Sequence, residues 1–307
     1  MTTSTLPPLT ALGHALPPDP AHFGELRSSS DLLGRGEALR ARLEEDGYLY
    51  IPGFFAREDI FSVRANLTDL LAAQGCLDAA RPSFEAVVNP DLRGKRFEAH
   101  LPQANPGVDG IVFGGQLVSF YETLFGEPIR HFDFKWFRAV GPGPGTHPHC
   151  DLPYMGRGTR NLLTCWIPYG DVPLDLGGLM VLENSHRQSE RIRAYLDTDV
   201  DSYCENRPKE VAKVKEGGGW SHPGWLSTNP VSLQQKLGGR WLTADWKAGD
   251  FLTFRMDLVH GSLDNHTDQV RLSSDTRYQR ASEPIDGRWI GANPPGHSRS
   301  GKLGRIC

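Results

Sequence analysis

Gly145-Thr146-His147-Pro148-His149-Cys150-Asp151 is the stretch from which the fold and its site can be read. It follows Gly141-Pro142-Gly143-Pro144, which only a turn accommodates, and before that residues 131–138 read as a strand. In extended chain, side chains two apart share a face. His149 and Asp151 can therefore converge on one point while Cys150 turns away into packing. Alone, His-x-Asp is common, and a histidine bonded to a nearby carboxylate in a loop explains it more often than a metal site does.

Around this stretch the helix signals come first and the strands afterwards. Residues 1–30, rich in Pro, Ser and Thr, show no sustained period and are expected to form an arm on the surface or in part without order. Residues 36–45 have helix spacing at Leu39 and Leu43, Asp46-Gly47 stops them, and Tyr48-Leu49-Tyr50-Ile51 is a strand. A second helix carries the stripe Ile60, Val63, Leu67, Leu70 and Leu71, and a third over 116–125 ends at Gly126. Strand-like runs follow at 162–167, 179–182, 251–254 and 270–278. This order predicts an all-β core with flanking helices, a barrel or sandwich in one domain over 31–307. Within it, 197–239 is long and rich in Gly, Trp and Pro. It includes Gly217-Gly218-Gly219-Trp220 and reads either as a lid-like insertion or as a surface excursion pinned by its tryptophans.

The 307 residues are 38% hydrophobic and 23% charged with a formal net charge of -4. There is no basic footprint, so neither nucleic acid nor an anionic membrane is an expected partner. No apolar run reaches membrane-spanning length, and the N-terminus lacks the basic-then-apolar order of a secretory signal. Five cysteines, Cys76, Cys150, Cys165, Cys204 and Cys307, are scattered without Cys-x-x-Cys spacing. They argue against a disulfide framework or a structural zinc site and fit a reducing cytoplasm.

Among the eleven histidines, His260 stands out because it follows the strand 249–254 and precedes Gly261-Ser262. Arg271 comes eleven residues later (271 minus 260). Alternation from it places Arg271, Ser273, Asp275 and Arg277 on one face, an unusually polar row for a strand expected to line a core. Such a row makes sense where a barrel end is a binding site. His149, Asp151 and His260 would form the two-histidine, one-carboxylate face that holds Fe(II) with three positions open. A 2-oxo acid fills two of these through its C1 carboxylate and keto oxygen and leaves one for O2. The far carboxylate of 2-oxoglutarate needs a planar, permanently charged, bidentate partner, as Arg271 is.

On these residues the chain resembles the phytanoyl-CoA dioxygenase family of Fe(II)/2-oxoglutarate oxygenases. The likeness runs through residues 43–54, His149-Cys150-Asp151, Trp166-Ile167-Pro168 with Asp171, and Gly177-Gly178-Leu179 onward to Ser185-His186. It continues in Lys247-Ala248-Gly249-Asp250, His260-Gly261-Ser262, Asn265 and 271–279, so that roughly residues 40–280 are covered. The resemblance implies a double-stranded β-helix (jelly roll, cupin-like), with His149, Asp151 and His260 on iron and Arg271 on the C5 carboxylate. It also implies Ser273 and Ser262 as co-anchors, Trp166 beside the co-substrate, and Thr146 within hydrogen-bond reach of it. Asn184 stands where the family usually has glycine, a departure that touches a turn. Halogenating relatives lack the carboxylate. With Asp151 present, the implied reaction is hydroxylation of a small-molecule substrate, with succinate and CO2 released.

Other residues have blander readings. His147 lacks a carboxylate two residues on and reads as a neighbour of the site or a surface residue. His186 reads as a hydrogen-bonded structural histidine, while His131, His222, His266 and His297 have no supporting context. Trp220, Trp225, Trp241 and Trp246 read as packing. Lys135, Arg157 and Arg160 offer a cationic mouth for an anionic substrate, against the commoner reading of solvated charge. A different class of function, a non-catalytic metal- and 2-oxoglutarate-binding or sensing protein, would use the same ligands, and succinate formation separates the two. A cupin-like hydrolase or isomerase using another metal leaves Arg271 without a purpose.

Overall fold

The computed structural model describes residues 9–92, 97, 99–216 and 223–307. The apolar stripes become helices α1 (Gly36–Asp46), α2 (Arg57–Ala73) and, after the short α3 (Pro106–Val112), α4 (Gly115–Phe125). Gly47 and Gly126 end α1 and α4 in the left-handed conformation that stops a helix without a Cβ penalty. None of the described helices is long and apolar enough to cross a membrane.

After a small hairpin of β1 (Thr10–Ala11) and β2 (His14–Ala15), two sheets carry the core. The smaller runs β12 (His260–Ser262), β8 (Leu179–Leu182), β10 (Trp241–Thr243) and β3 (Phe23–Glu25). The larger runs β4 (Tyr48–Ile51), β11 (Phe251–Arg255), β7 (Leu163–Pro168), β13 (Arg271–Arg280) and β5 (Ile129–His131). Its sixth strand, β6 (Trp136–Val140), also pairs with β13. Trp166, Leu252 and Phe254 of the larger sheet meet Leu179, Val181 and Leu242 of the smaller in one buried cluster. On the other face of the larger sheet, Cys165, Ile167 and Tyr278 pack against Leu39, Leu67, Tyr121 and Leu124 of the helices. This is the expected double-stranded β-helix with flanking helices. Strand β7 has no polar alternation because both of its faces are buried.

Three expectations change. The single strand over 131–138 is two strands, because after Phe132, whose N–H still donates to the Arg277 carbonyl at 2.9 Å, the chain leaves the ladder until Trp136. The N–H groups of Asp133 and Phe134 donate instead to the Trp289 carbonyl, and Phe134 and Trp136 pack on the Trp289 ring. Of the expected arm, residues 1–8 lie outside the described residues, and the rest is tied in. Strand β3 runs parallel to β10, and buried Asp264 accepts from Thr10 Oγ1 and the N–H groups of Leu12, Gly13 and Gly145 at 2.6–2.8 Å.

The third change is a disulfide. Strands β9 (Ser202–Cys204) and β14 (Leu303–Arg305) pair in parallel, and Cys204 is bonded to Cys307 with Cα atoms 5.6 Å apart. The two cysteines are 103 residues apart in sequence, so no spacing motif could announce the pairing. The compartment argument drawn from cysteine usage loses that support.

Asp264→Ala is expected to remove about 1–3 kcal/mol of stability by leaving those backbone donors without their acceptor. It should also expose residues 9–16 to protease; urea unfolding and limited proteolysis check both.

Candidate functional site

The triad assembles, by a route other than strand alternation. His149 and His260 exchange backbone hydrogen bonds, each N–H to the other's carbonyl at 2.9 Å, so an isolated bridge lays one histidine beside the other. Asp151 has left the extended region (φ -77°, ψ -20°) and starts the short helix α5 (Leu152–Met155). That turn swings its carboxylate under both imidazoles. Asp151 Oδ1 lies 3.8 Å from His149 Nε2 and 3.7 Å from His260 Nε2, too far for a hydrogen bond and close enough to share an ion. Donor atoms from all three residues fall within 4.8 Å of one another.

The protonation pattern suits a divalent metal. His149 Nδ1 bonds the His147 carbonyl at 2.8 Å and His260 Nδ1 the Leu258 carbonyl at 3.0 Å. Each ring proton is thereby placed on Nδ1, and each Nε2 lone pair points to the centre. Burial, with His260 nearby, pushes His149 down to about 3, and burial likewise lowers His260, so both rings are neutral. Burial would raise Asp151, but the Arg277 guanidinium, helped by the Thr164 hydroxyl, holds it well below the usual carboxylate range. Cys150 turns away and bonds the Asp257 carbonyl.

Behind Asp151 runs a charge ladder. Arg277, 2% exposed, donates through Nη2 to Asp151 Oδ2 at 2.8 Å and through Nη1 to Asp275 Oδ2 at 2.5 Å. Asp275 also accepts from Arg138 Nε at 2.9 Å, and Thr164 Oγ1 donates to Asp151 Oδ2. The register places Arg277 opposite Thr164 and Asp275 opposite Trp166 on β7. Alternation along 271–277 exposed this row in the sequence. Nothing there linked Arg277 to a carboxylate 126 residues away.

Arg271 stands differently. It is 3% exposed, its Nη1 reaches Ser273 Oγ at 3.3 Å, and its buried Nε has no acceptor. Burial and the nearby Arg138 guanidinium push it down to about 10, against the smaller opposing pull of Asp275. Arg271, Trp166, Thr146 and Ser262 line one cavity together with His149, Asp151 and His260. The Arg271 guanidinium lies 5.9 Å over the Trp166 ring, and Ser262 Oγ accepts from the Thr146 N–H at 2.8 Å. Of the expected residues, all but Ser273 line this inner chamber, and Ser273 touches it only through its hydrogen bond with Arg271.

An outer chamber of about 360 Å³ adjoins the inner one at His149, Asp151, Arg138 and Arg277, and its further walls are Trp136, His147, Tyr154, Trp225 and His297. His147 stacks on Trp225 at 4.6 Å, and His297 Nδ1 bonds buried Asp201 at 2.7 Å. The reading of His147 as a neighbour of the site fits this wall, Trp225 was read as packing, and Trp136, Tyr154 and His297 carried no signal; Trp220 and His222 lie outside the described residues. The cationic mouth does not form. Lys135 pairs with Asp109, Arg157 with Asp199 and Arg160 with Asp197, at 2.7–2.9 Å. A larger groove, about 540 Å³, lies against α1 and α4 and contains none of the triad. His186 packs against Gly47 and bonds the Glu44 carbonyl, as a structural histidine does, and Asn184 adopts the left-handed turn (φ 59°).

Residues 43–273 match the family described as Phytanoyl-CoA dioxygenase (PhyH). Similar curated proteins include the 1-deoxypentalenic acid 11-beta-hydroxylase of Streptomyces exfoliatus, 24% identical over 269 residues, covering 82% of this chain and 83% of the relative. The enzyme of the same name from Streptomyces arenae is 24% identical over 281 residues, covering 85% and 87%. Among solved structures, EctD from S. alaskensis with bound Fe superposes with a TM-score of 0.55 at 16% identity, covering 97% of this chain and 98% of that one. The non-heme alpha ketoglutarate dependent carbocyclase SnoK from nogalamycin biosynthesis gives 0.56 at 19%, covering 82% and 88%. At those identities the structures speak to the fold.

Arg277→Gln is expected to weaken Co(II) binding about 10- to 100-fold. It should also raise the pH of half-binding, because Asp151 then titrates nearer its ordinary range. Calorimetric titration across pH checks both, and an unchanged midpoint would show that Arg277 does not tune Asp151.

Proposed function

The chain belongs to the phytanoyl-CoA dioxygenase family of Fe(II)- and 2-oxoglutarate-dependent oxygenases, and from that premise we propose that it hydroxylates a small organic substrate while 2-oxoglutarate becomes succinate and CO2. The observation that carries this reading is Arg271. A buried guanidinium whose Nε has no acceptor shares a chamber with two neutral imidazoles and an ionised carboxylate. A dicarboxylate that reaches from the metal face to Arg271 is the kind of molecule that satisfies both ends.

In this reading His149 Nε2, His260 Nε2 and an Asp151 carboxylate oxygen would hold the ion. When bound, iron(II) supplies the redox chemistry that activates O2, with 2-oxoglutarate as the reductant. Arg271 binds the C5 carboxylate, Ser273 orients the guanidinium, and Trp166 walls the chamber against water. Ser262 fixes the Thr146 backbone at the chamber edge. Arg277, with Asp275 and Arg138 behind it, keeps Asp151 ionised and aimed.

The outer chamber is read as the substrate site. Its walls combine the aromatic faces of Trp136, Tyr154 and Trp225 with polar groups such as Arg138 and His297, which suits a compact amphipathic molecule, and its volume falls in the range of small-ligand sites. The relatives named for acting on 1-deoxypentalenic acid support a hydroxylation of that kind. With Lys135, Arg157 and Arg160 each neutralised, an anionic substrate has no support from them. Pro223 and Trp225 of the lid-like segment form part of the chamber wall, so that segment is read as a contributor to substrate selection.

Under anaerobic conditions Fe(II) plus 2-oxoglutarate is expected to give a weak visible charge-transfer band that His260→Ala abolishes. A wild-type protein with verified iron content and no band would overturn the assignment of the co-substrate.

A further inference from the structure

We propose that Trp166, Trp246 and Tyr50 form a path that carries oxidising equivalents from the metal face to the protein surface when O2 is activated with no substrate in the outer chamber. The inference rests on the functional reading above for its oxidant, and on this chain's own side chains for its route. Trp166 lines the inner chamber with the triad. Its ring centroid lies 4.8 Å from that of Trp246, and Trp246 lies 5.1 Å from Tyr50, both pairs edge to face. The three rings make a continuous aromatic line from the buried site to a partly exposed tyrosine.

Proton acceptors decide where such a path stops. The Trp246 indole N–H is buried and has no acceptor, so an indole cation radical there has no base to receive its proton and the charge moves on. Tyr50 donates its O–H to Asp250 Oδ2 at 2.9 Å, so loss of an electron can be completed by loss of a proton along that bond. Asp250 is held in place independently, accepting the N–H groups of Gly53 and Lys247 at 2.9 Å. Tyr50 is therefore the terminus.

The transfer balances as one electron and one proton. Trp166 gives one electron to the metal centre that O2 with 2-oxoglutarate, or peroxide, would have oxidised, lowering it by one oxidation state; Trp246 re-reduces Trp166, and Tyr50 re-reduces Trp246. The phenolic proton passes to Asp250. A tyrosyl radical remains near the surface, where a small thiol or ascorbate can reduce it. Arg271 above the Trp166 ring opposes oxidation of that indole, and a bound dicarboxylate cancels its charge. The path is accordingly most favourable when co-substrate is present.

The test uses the full chain in two arms without primary substrate. One arm contains Fe(II), 2-oxoglutarate and O2; the other contains Fe(II) and hydrogen peroxide, which supplies a metal-centred oxidant without 2-oxoglutarate. Freeze-quenched samples are read by electron paramagnetic resonance, and digests by mass spectrometry. Wild type is expected to show a tyrosyl radical and little oxygenated Trp166 or Trp246. Tyr50→Phe keeps the ring and the Asp250 anchors; it should lose the radical signal and raise oxygenated Trp166 and Trp246 severalfold. Trp136 and Tyr154, off the path in the outer chamber, should be modified equally in both proteins. Trp246→Leu should also lose the signal, with the rise confined to Trp166. Equal Trp166 and Trp246 modification in wild type and Tyr50→Phe, in either arm that oxidises the protein, overturns the path. Succinate in the first arm reports on the functional reading separately, since the peroxide arm tests the path whether or not succinate forms.

Discussion

A guanidinium taken out of water has to be met by negative charge, and strand β13 carries two of them inward on one face. Arg277 is met twice, by Asp151 and Asp275. Arg271, six residues earlier on the same face, has among the described residues no carboxylate in an ion pair; it bonds the Ser273 hydroxyl and lies over the Trp166 ring. This asymmetry organises the site. At one end of the row the charge is spent on keeping a carboxylate ionised under two neutral imidazoles. At the other, in the proposed function, it is left for the far carboxylate of the co-substrate. The helices, the second sheet and the tied-down N-terminal segment all serve to keep that row dry and in register.

Register does the positioning. Trp166 and Thr164 sit opposite Asp275 and Arg277 because β7 and β13 pair over six residue steps, and a slip of one residue would turn the charged row toward the helices. The two histidines, 111 residues apart in sequence (260 minus 149), are locked by the hydrogen bonds their own backbones exchange. The ring orientations are then fixed by carbonyls two residues before each histidine. Main-chain bonds thus set the two histidines, while the side chains of Arg277 and Thr164 hold the Asp151 carboxylate.

Much of this was legible in the chain. The apolar stripes gave the helices, the order of helices and strands gave the sandwich, and alternation from Arg271 identified the inward row. His149, Asp151 and His260 were singled out by residue type and by family likeness. What stayed hidden depends on contacts between distant segments. Asp151 reaches its partners by a helical turn, a backbone choice that the flanking Leu152-Pro153 favours but that strand logic misreads. The break after His131 depends on the Trp289 carbonyl, the cationic mouth vanishes because each cation finds a carboxylate, and Cys204 meets Cys307 only through the β9–β14 pairing. The outer chamber collects side chains from residues 136 to 297, too dispersed for any motif.

The central claim is that the inner chamber spans a dicarboxylate between the triad and Arg271. Calorimetric binding of 2-oxoglutarate and of 2-oxobutyrate, which lacks the far carboxylate, to the Co(II)-loaded protein tests it most directly, with Arg271→Leu as the second dimension. The account predicts that wild type prefers 2-oxoglutarate by about 100-fold, the size expected for a desolvated charge pair, and that Arg271→Leu erases the preference while leaving 2-oxobutyrate binding unchanged. Equal affinity of the two acids for the wild-type protein would contradict it.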